Sequence, residues 1–229
     1  MITRYPVSWT SRLLGLLFPS HCLLCGKNVR PGELFCPDCA ASPPQSPCRR
    51  VISLPDGGEM PVLSPFPYEE GYRNTLHEFK FRGRTSLAQP LGFLMAQEAR
   101  EFPNAFSGVV FVPLHKTGRR KRGYDQSRLL AEAMAWELGL PVTAALEKIR
   151  LTQTQHELNP GEREKNVLGA YAVKKGADID GRHLLLVDDI VTTGNTLRQC
   201  AQELFAAGAR SVCAVCAADA DKKLKLKGA

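Results

Sequence analysis

The chain lacks any run of about 18 consecutive apolar residues, so it carries no signal for a membrane-spanning helix. It has no G-x-x-x-x-G-K-[ST] loop and no G-x-G-x-x-G turn, which excludes a Walker A nucleotide site and a dinucleotide fingerprint. No internal repeat is present. The apolar run LLGLLF, residues 13–18, lacks an A-x-A-like cleavage site and leads straight into HCLLC. It reads as an amphipathic lead-in helix on Leu13, Leu14, Leu17 and Phe18 rather than a signal peptide. Strong net charge is missing too. The formal charge is +7, and without Lys222, Lys223, Lys225 and Lys227 of the terminal DKKLKLKGA it is +3, too little to argue nucleic-acid binding from charge alone. That terminus alternates Lys and Leu without turn or capping logic, as a solvated tail or an appended remnant would. These absences point to a cytoplasmic protein.

What is present is a 229-residue chain, 44% hydrophobic and 23% charged, long enough for one large domain with a small appendage. Seven of the eight cysteines form two populations, and Cys48, like His21, is an adjacent candidate ligand that two complete pairs leave unneeded. Cys22, Cys25, Cys36 and Cys39 follow C-x2-C-x10-C-x2-C, and the tight turn within each pair aims both sulfurs at one tetrahedral ion. The predicted ligand is a structural zinc, since four thiolates leave no open position. Disulfides or a redox pair are the alternative. Cys200, Cys213 and Cys216 fall on apolar helix and strand patterns and read as small buried hydrophobes.

Between Ala41 and Pro65 the chain is rich in Pro, Ser and Gly and reads as a linker or irregular segment. Residues 68–102 are predicted helical, with Pro90 in a first turn. Then come a core strand (108–113), a helix (127–139), a short strand near 141–145, a buried strand (184–187), a helix to Gly208 and a closing strand (211–217). This alternation implies right-handed crossovers and an α/β fold around a parallel sheet.

The stretch LLLVDDIVTTGNT, residues 184–196, places two carboxylates between a buried strand and a hydroxyl-rich turn that opens a helix. A phosphorylated sugar accounts for each part. Asp188 and Asp189 can accept hydrogen bonds from vicinal ribose hydroxyls. Thr192, Thr193, Gly194, Asn195 and Thr196 offer N–H groups and hydroxyls to a 5′-phosphate at a helix N-terminus. A capped strand end and a Thr-capped helix would need fewer polar groups.

The same stretch resembles the phosphoribosyl pyrophosphate (PRPP) signature of type I phosphoribosyltransferases. LLFPSHCLLCG, EFKFRG (78–83), VPLHKTGRRKRGYDQSRLLA and LTQTQHELNPGEREKNVLGAY (151–171) narrow the resemblance to the ComF family, linked to natural competence and to gluconate or DNA utilisation. It spans roughly residues 13 to 218. One departure is a single four-Cys knuckle where some relatives carry further pairs. The resemblance implies a Rossmann-like type I phosphoribosyltransferase domain over 63–218, preceded by the lead-in helix, zinc module and linker (1–62) and followed by a tail (219–229). It implies Mg²⁺ bound with PRPP, catalytic roles for Asp188 and Asp189, and an acceptor that the sequence does not name. It also assigns the basic loop after the 108–113 strand to pyrophosphate, with Lys116, Arg120, Arg122 and Gln126 as contacts; a solvated basic loop is the alternative. Residues 150–166 resemble a mobile loop closing over such sites, with Arg150, Gln155, Arg163 and Asn166 as contacts, or else an ordinary surface loop. Two further readings stay open: a PRPP-responsive protein without turnover, and a competence adaptor meeting single-stranded DNA or a helicase partner.

Overall fold

Alternating apolar residues of the long strands bury two separate faces of one sheet, and everything else is arranged by that. The computed structural model describes residues 3–6, 20–41, 47–103, 105–150 and 168–221. The lead-in helix, Gln155, Arg163, Asn166 and the lysine-rich tail lie outside the described residues.

The small elements come first: β1 (Ser20–His21), β2 (Asn28–Val29) and α1 (Pro37–Ala41). A hairpin follows, β3 (Cys48–Ser53) and β4 (Glu59–Ser64), then the short β5 (Phe66–Pro67). Next are helices α2 (Glu70–Phe81) and α3 (Ala88–Arg100), strand β6 (Gly108–Phe111), and helices α4 (Lys116–Arg122) and α5 (Gln126–Leu138). The chain then forms β7 (Val142–Thr143), β8 (Leu146–Lys148), β9 (Tyr171–Val173), β10 (His183–Val191), α6 (Asn195–Ala206) and β11 (Ser211–Asp219).

Seven strands make the main sheet, in the order β3-β4-β11-β10-β6-β7 with β5 continuing beside β11. All neighbours run parallel except β3 and β4. The expected parallel α/β sheet is therefore present, with an antiparallel edge. Leu185 and Val187 of β10 join Leu76, Met95, Leu130 and Met134 of α2, α3 and α5 in one core. Leu184 and Leu186 face the other way, onto Leu197, Cys200, Ala201 and Leu204 of α6. The period of two along a strand requires this division. Cys200, Cys213 and Cys216 are fully enclosed, in keeping with their reading as hydrophobes.

The linker expected over 41–65 is corrected: residues 48–64 are a hairpin whose second strand pairs with β11. Its turn, Pro55-Asp56-Gly57-Gly58, closes through Leu54 N–H on the Gly58 carbonyl at 2.8 Å, with Gly57 at φ +83°. The 62/63 boundary drawn from the sequence falls within β4. The basic segment is likewise a helix, α4, rather than a loop. His115 caps it by accepting from Thr117 N–H at 3.3 Å, and Gly123 stops it at φ +82°.

Candidate functional site

β10 does not end with its apolar run. It carries Asp188 and Asp189 within the strand and closes at Val191, level with Asp219 at the end of β11. The chain then turns through Thr192 and Thr193 to Gly194 at φ +81°, which starts α6 without a side-chain cap. A Cβ on Gly194 would lie 2.3 Å from Ile52 Cδ1, so both its backbone conformation and its neighbour call for glycine. Thr192 is exposed, and Thr193, Asn195 and Thr196 are half-buried. All five loop residues singled out in the sequence thus gather at the carboxyl edge of the sheet, beside the acidic pair.

Asp189 is buried and meets Lys80, from the end of α2, at 2.6 Å. Burial alone would lower the Lys80 ammonium, but the Asp189 and Asp188 carboxylates hold it above its ordinary value. Asp188 accepts from Ser127 Oγ and from the Asp189 N–H through the same oxygen, both at 2.8 Å. Loss of solvation, with the neighbouring Asp189 charge adding to it, raises its carboxyl to about 7. Its field also reaches Lys148 of β8 and Tyr171 of β9. Burial depresses the Lys148 ammonium, which stands 5.3 Å over the Tyr171 ring.

Gln126 is fully buried and tied down at both ends. It accepts from Arg122 Nη1 at 3.2 Å and donates to the Lys80 carbonyl at 3.2 Å. The Arg122 guanidinium lies 5.2 Å over the ring of Phe81, which is 57% exposed and also packs against His77. Arg122 and Gln126 are thus joined to the acidic pair through α2. Lys116 and Arg120 instead stand exposed on α4, without a hydrogen bond or ion pair among the described residues. Arg150 donates to the Leu168 carbonyl at 2.7 Å.

Lys80 and Ser127 escaped the sequence reading. Lys80 sits inside EFKFRG, where a charge between two aromatics on a helix signals a polar group carried to a partner. Ser127 looked like part of an ordinary helix start.

The second cluster is local. Cys22 N–H bonds to the Lys27 carbonyl at 2.8 Å and Gly26 N–H to the Cys22 carbonyl at 3.0 Å, closing the first knuckle around β1 and β2. Ala40 N–H bonds to the Cys36 carbonyl at 2.9 Å in the second. The four sulfurs lie within 4.8 Å of one another, with Cys25 and Cys36 at 3.6 Å. Tetrahedral zinc with bonds of about 2.3 Å sets its sulfurs about 3.8 Å apart, so the donor set fits the ion. The module is not loosely appended. Thr75 Oγ1 donates to the Leu23 carbonyl at 2.7 Å, and a Cβ on Gly71 would meet the Leu24 carbonyl oxygen at 2.7 Å.

A family model described as Phosphoribosyl transferase domain matches residues 125–229, the part holding α5, the acidic pair and the phosphate-loop candidate. The chain is 32% identical over 224 residues to DNA utilization protein YhgH of Salmonella typhimurium (strain LT2), covering 93% of this chain and 96% of that one. It is 25% identical over 203 residues to Competence protein F of Haemophilus influenzae, covering 85% and 82%. Among solved structures it is similar to glutamine PRPP amidotransferase from B. subtilis, at 24% identity and a TM-score of 0.43, covering 62% of this chain and 30% of that one. The chain belongs to the ComF family of phosphoribosyltransferase-like proteins. No helix among the described residues is long and apolar enough to cross a membrane.

Proposed function

We propose that the protein binds PRPP at the carboxyl edge of β10 and transfers its ribose 5-phosphate to an acceptor, releasing pyrophosphate. The observation that carries this is the division of labour in the acidic pair. Asp189 is neutralised by Lys80, while Asp188 spends one oxygen on Ser127 and the Asp189 N–H, leaving the other to accept from ribose hydroxyls. The 192–196 turn then supplies N–H groups and hydroxyls to the 5′-phosphate. In the transfer the bond from C1′ to the pyrophosphate oxygen breaks and its electron pair leaves with pyrophosphate. An acceptor lone pair forms the new bond at C1′, and the acceptor's proton is released. The carboxylates stabilise the positive charge that develops on the ribose. Two committed carboxylates do not make a metal cage, so Mg²⁺ would be held by the ligand's own oxygens, where it neutralises the diphosphate. Arg122, steadied by Gln126, is the cation assigned to the pyrophosphate; Lys116 and Arg120 extend that charge outward. Arg150, Gln155, Arg163 and Asn166 are assigned to the segment that covers the bound ligand. The exposed face of Phe81 offers the acceptor a flat apolar surface at the mouth.

Zinc on Cys22, Cys25, Cys36 and Cys39 would have a structural role: four thiolates complete its shell, and its binding energy holds residues 20–41 folded.

Incubating the protein with PRPP, Mg²⁺ and a panel of nucleobases while following pyrophosphate tests the transfer. Release that depends on one acceptor is the expected result. A second reading, a competence adaptor, is favoured by the exposed Lys116 and Arg120 together with the names of the relatives, DNA utilization protein and Competence protein F. Binding of single-stranded DNA that persists at saturating Mg²⁺–PRPP, with no pyrophosphate released by any acceptor, would select it.

A further inference from the structure

The β3–β4 hairpin lies against the 192–196 turn, and Arg50, Ile52 and Ser53 of β3 touch that turn and the start of α6. Arg50 is largely enclosed, its side chain 15% exposed, and it makes three polar contacts at once. Nη2 donates to the Thr192 carbonyl at 2.7 Å, Nη1 donates to Asp221 Oδ2 at 3.2 Å, and Nε lies 2.7 Å from Asp219 Oδ2 as an ion pair without hydrogen-bond alignment. Asp219, 2% exposed at the end of β11, is fixed in turn by the Asp221 N–H on its other oxygen at 2.8 Å. Two residues along β3, Ile52 fills the space that a side chain on Gly194 would need. The next carbonyl, Ser53, accepts from Arg198 Nε at 3.0 Å, and Arg198 Nη1 donates to Asn195 Oδ1 at 2.9 Å. Residues 50, 52 and 53 of one strand therefore hold residues 192, 194, 195 and 198.

A trans peptide points its carbonyl and its N–H in opposite directions. Holding the Thr192 carbonyl on Arg50 accordingly turns the Thr193 N–H away from the hairpin. A planar guanidinium can serve the carbonyl and both carboxylates in one fixed geometry, which a flexible ammonium cannot. We propose that Arg50 is a positioning residue: with Asp219 and Ile52 it clamps the 192–196 turn in its anion-binding shape before any ligand arrives. The proposal rests on the phosphosugar reading of that turn. A turn ordered in advance loses less entropy on binding, so the clamp acts on affinity without touching the ligand.

Hydrogen exchange and calorimetry on the full chain separate the clamp from the ligand assignment. In Arg50→Ala, peptides covering 190–198 are expected to exchange at least about tenfold faster while those of β6 and α5 stay at the wild-type rate, and Mg²⁺–PRPP affinity to fall about tenfold, the size of one hydrogen bond to a charged group. Arg50→Lys is expected to restore less than half of either effect. Because Arg50→Ala strands the buried Asp219, Arg50→Ala/Asp219→Asn is measured beside it; it removes the stranded charge but still frees the Thr192 carbonyl, so the fast exchange should remain. Unchanged exchange across 190–198 in a folded double variant would overturn the clamp, whatever the affinity. Fast exchange in a protein whose wild type binds no PRPP would support the clamp and remove the phosphosugar reading instead.

Discussion

Helix α2 touches the four-thiol knuckle at Gly71 and Thr75 and the acidic strand end at Lys80, so two very different centres share one rod about 14 Å long between those contacts. The knuckle draws all its donors from one short segment and closes on itself: four sulfurs within 4.8 Å of one another, a set that one four-coordinate ion would fill with no vacancy for a substrate. The strand end takes its carboxylates from β10 but its hydroxyl from α5, its ammonium from α2 and its backing guanidinium from β3. There the charges are matched only in part, with Asp188 left half-buried and its carboxyl raised to about 7. A self-satisfied cluster holds a fold; an incompletely satisfied one is where a ligand completes the set.

Breaking the knuckle should have the largest effect. Purified protein is expected to hold about one equivalent of zinc, and Cys36→Ser to lose it. Structural zinc contributes about 10–16 kcal/mol to such modules, so residues 20–41 should unfold, and the melting temperature of the whole chain should drop because α2 rests on them. Zinc retained by that variant, or disulfides between these cysteines in the wild type, would refute the assignment.

Lys80→Ala comes next. Removing one partner of a fully buried pair costs about 3–5 kcal/mol, but a quarter of the Lys80 side chain meets water, so a loss on the order of 2 kcal/mol is expected in urea unfolding. Adding Asp189→Asn should recover most of it. A double variant no more stable than Lys80→Ala would show that the pair does not carry the loss.

Asp188 gives a pH signature with a definite sign. Its carboxyl titrates near 4 unfolded but at about 7 folded, so the folded state binds the extra proton between those values. The stability this contributes is complete below about pH 4 and is lost as pH rises through 7. Asp188→Asn keeps an acceptor for Ser127 without the charge. Discounted for its half exposure, the variant is expected to melt about 2–4 °C higher than wild type at pH 8 and to match it at pH 4. An equal difference at both pH values would contradict the assigned cause.

Gly194→Ala should have the smallest effect on stability, about 1 kcal/mol, shared between a left-handed alanine and the displaced end of Ile52. Combined with Ile52→Val it should regain part of that loss; no recovery would place the whole penalty in the backbone.

The same contrast governs what could be read in advance. Cys22, Cys25, Cys36 and Cys39 announce themselves because all four ligands are neighbours in sequence. Asp188, Asp189 and the 192–196 turn lie in one unbroken run, so their gathering at the sheet edge was legible as well. Arg50 reaches Thr192 across 142 residues, and nothing near either one advertises the other. The hairpin that carries Arg50 was hidden by Pro55 and Pro61. A proline inside a run argues against a strand, yet Pro61 is tolerated in β4, which pairs with β11 only over Val62 and Leu63. Asp56-Gly57 is a turn signal, but it stands in a segment whose Pro, Ser and Gly content reads as a linker. The basic helix α4 reads as a loop because KTGRRKR has no apolar periodicity, although Lys and Arg are good helix formers and His115 and Gly123 cap and stop it.

The central claim is that the acidic pair and the turn beyond it hold the ribose and the 5′-phosphate of PRPP. Calorimetry with Mg²⁺–PRPP at pH 8, on wild type, Asp188→Asn and Asp189→Asn, tests it most directly, with circular dichroism and zinc content confirming that each variant is folded. The expected result is saturable binding by wild type and at least about tenfold weaker binding by Asp188→Asn, the loss of a hydrogen bond to a charged group, with a smaller loss in Asp189→Asn, whose carboxylate is already taken by Lys80. Equal affinity in all three would contradict it.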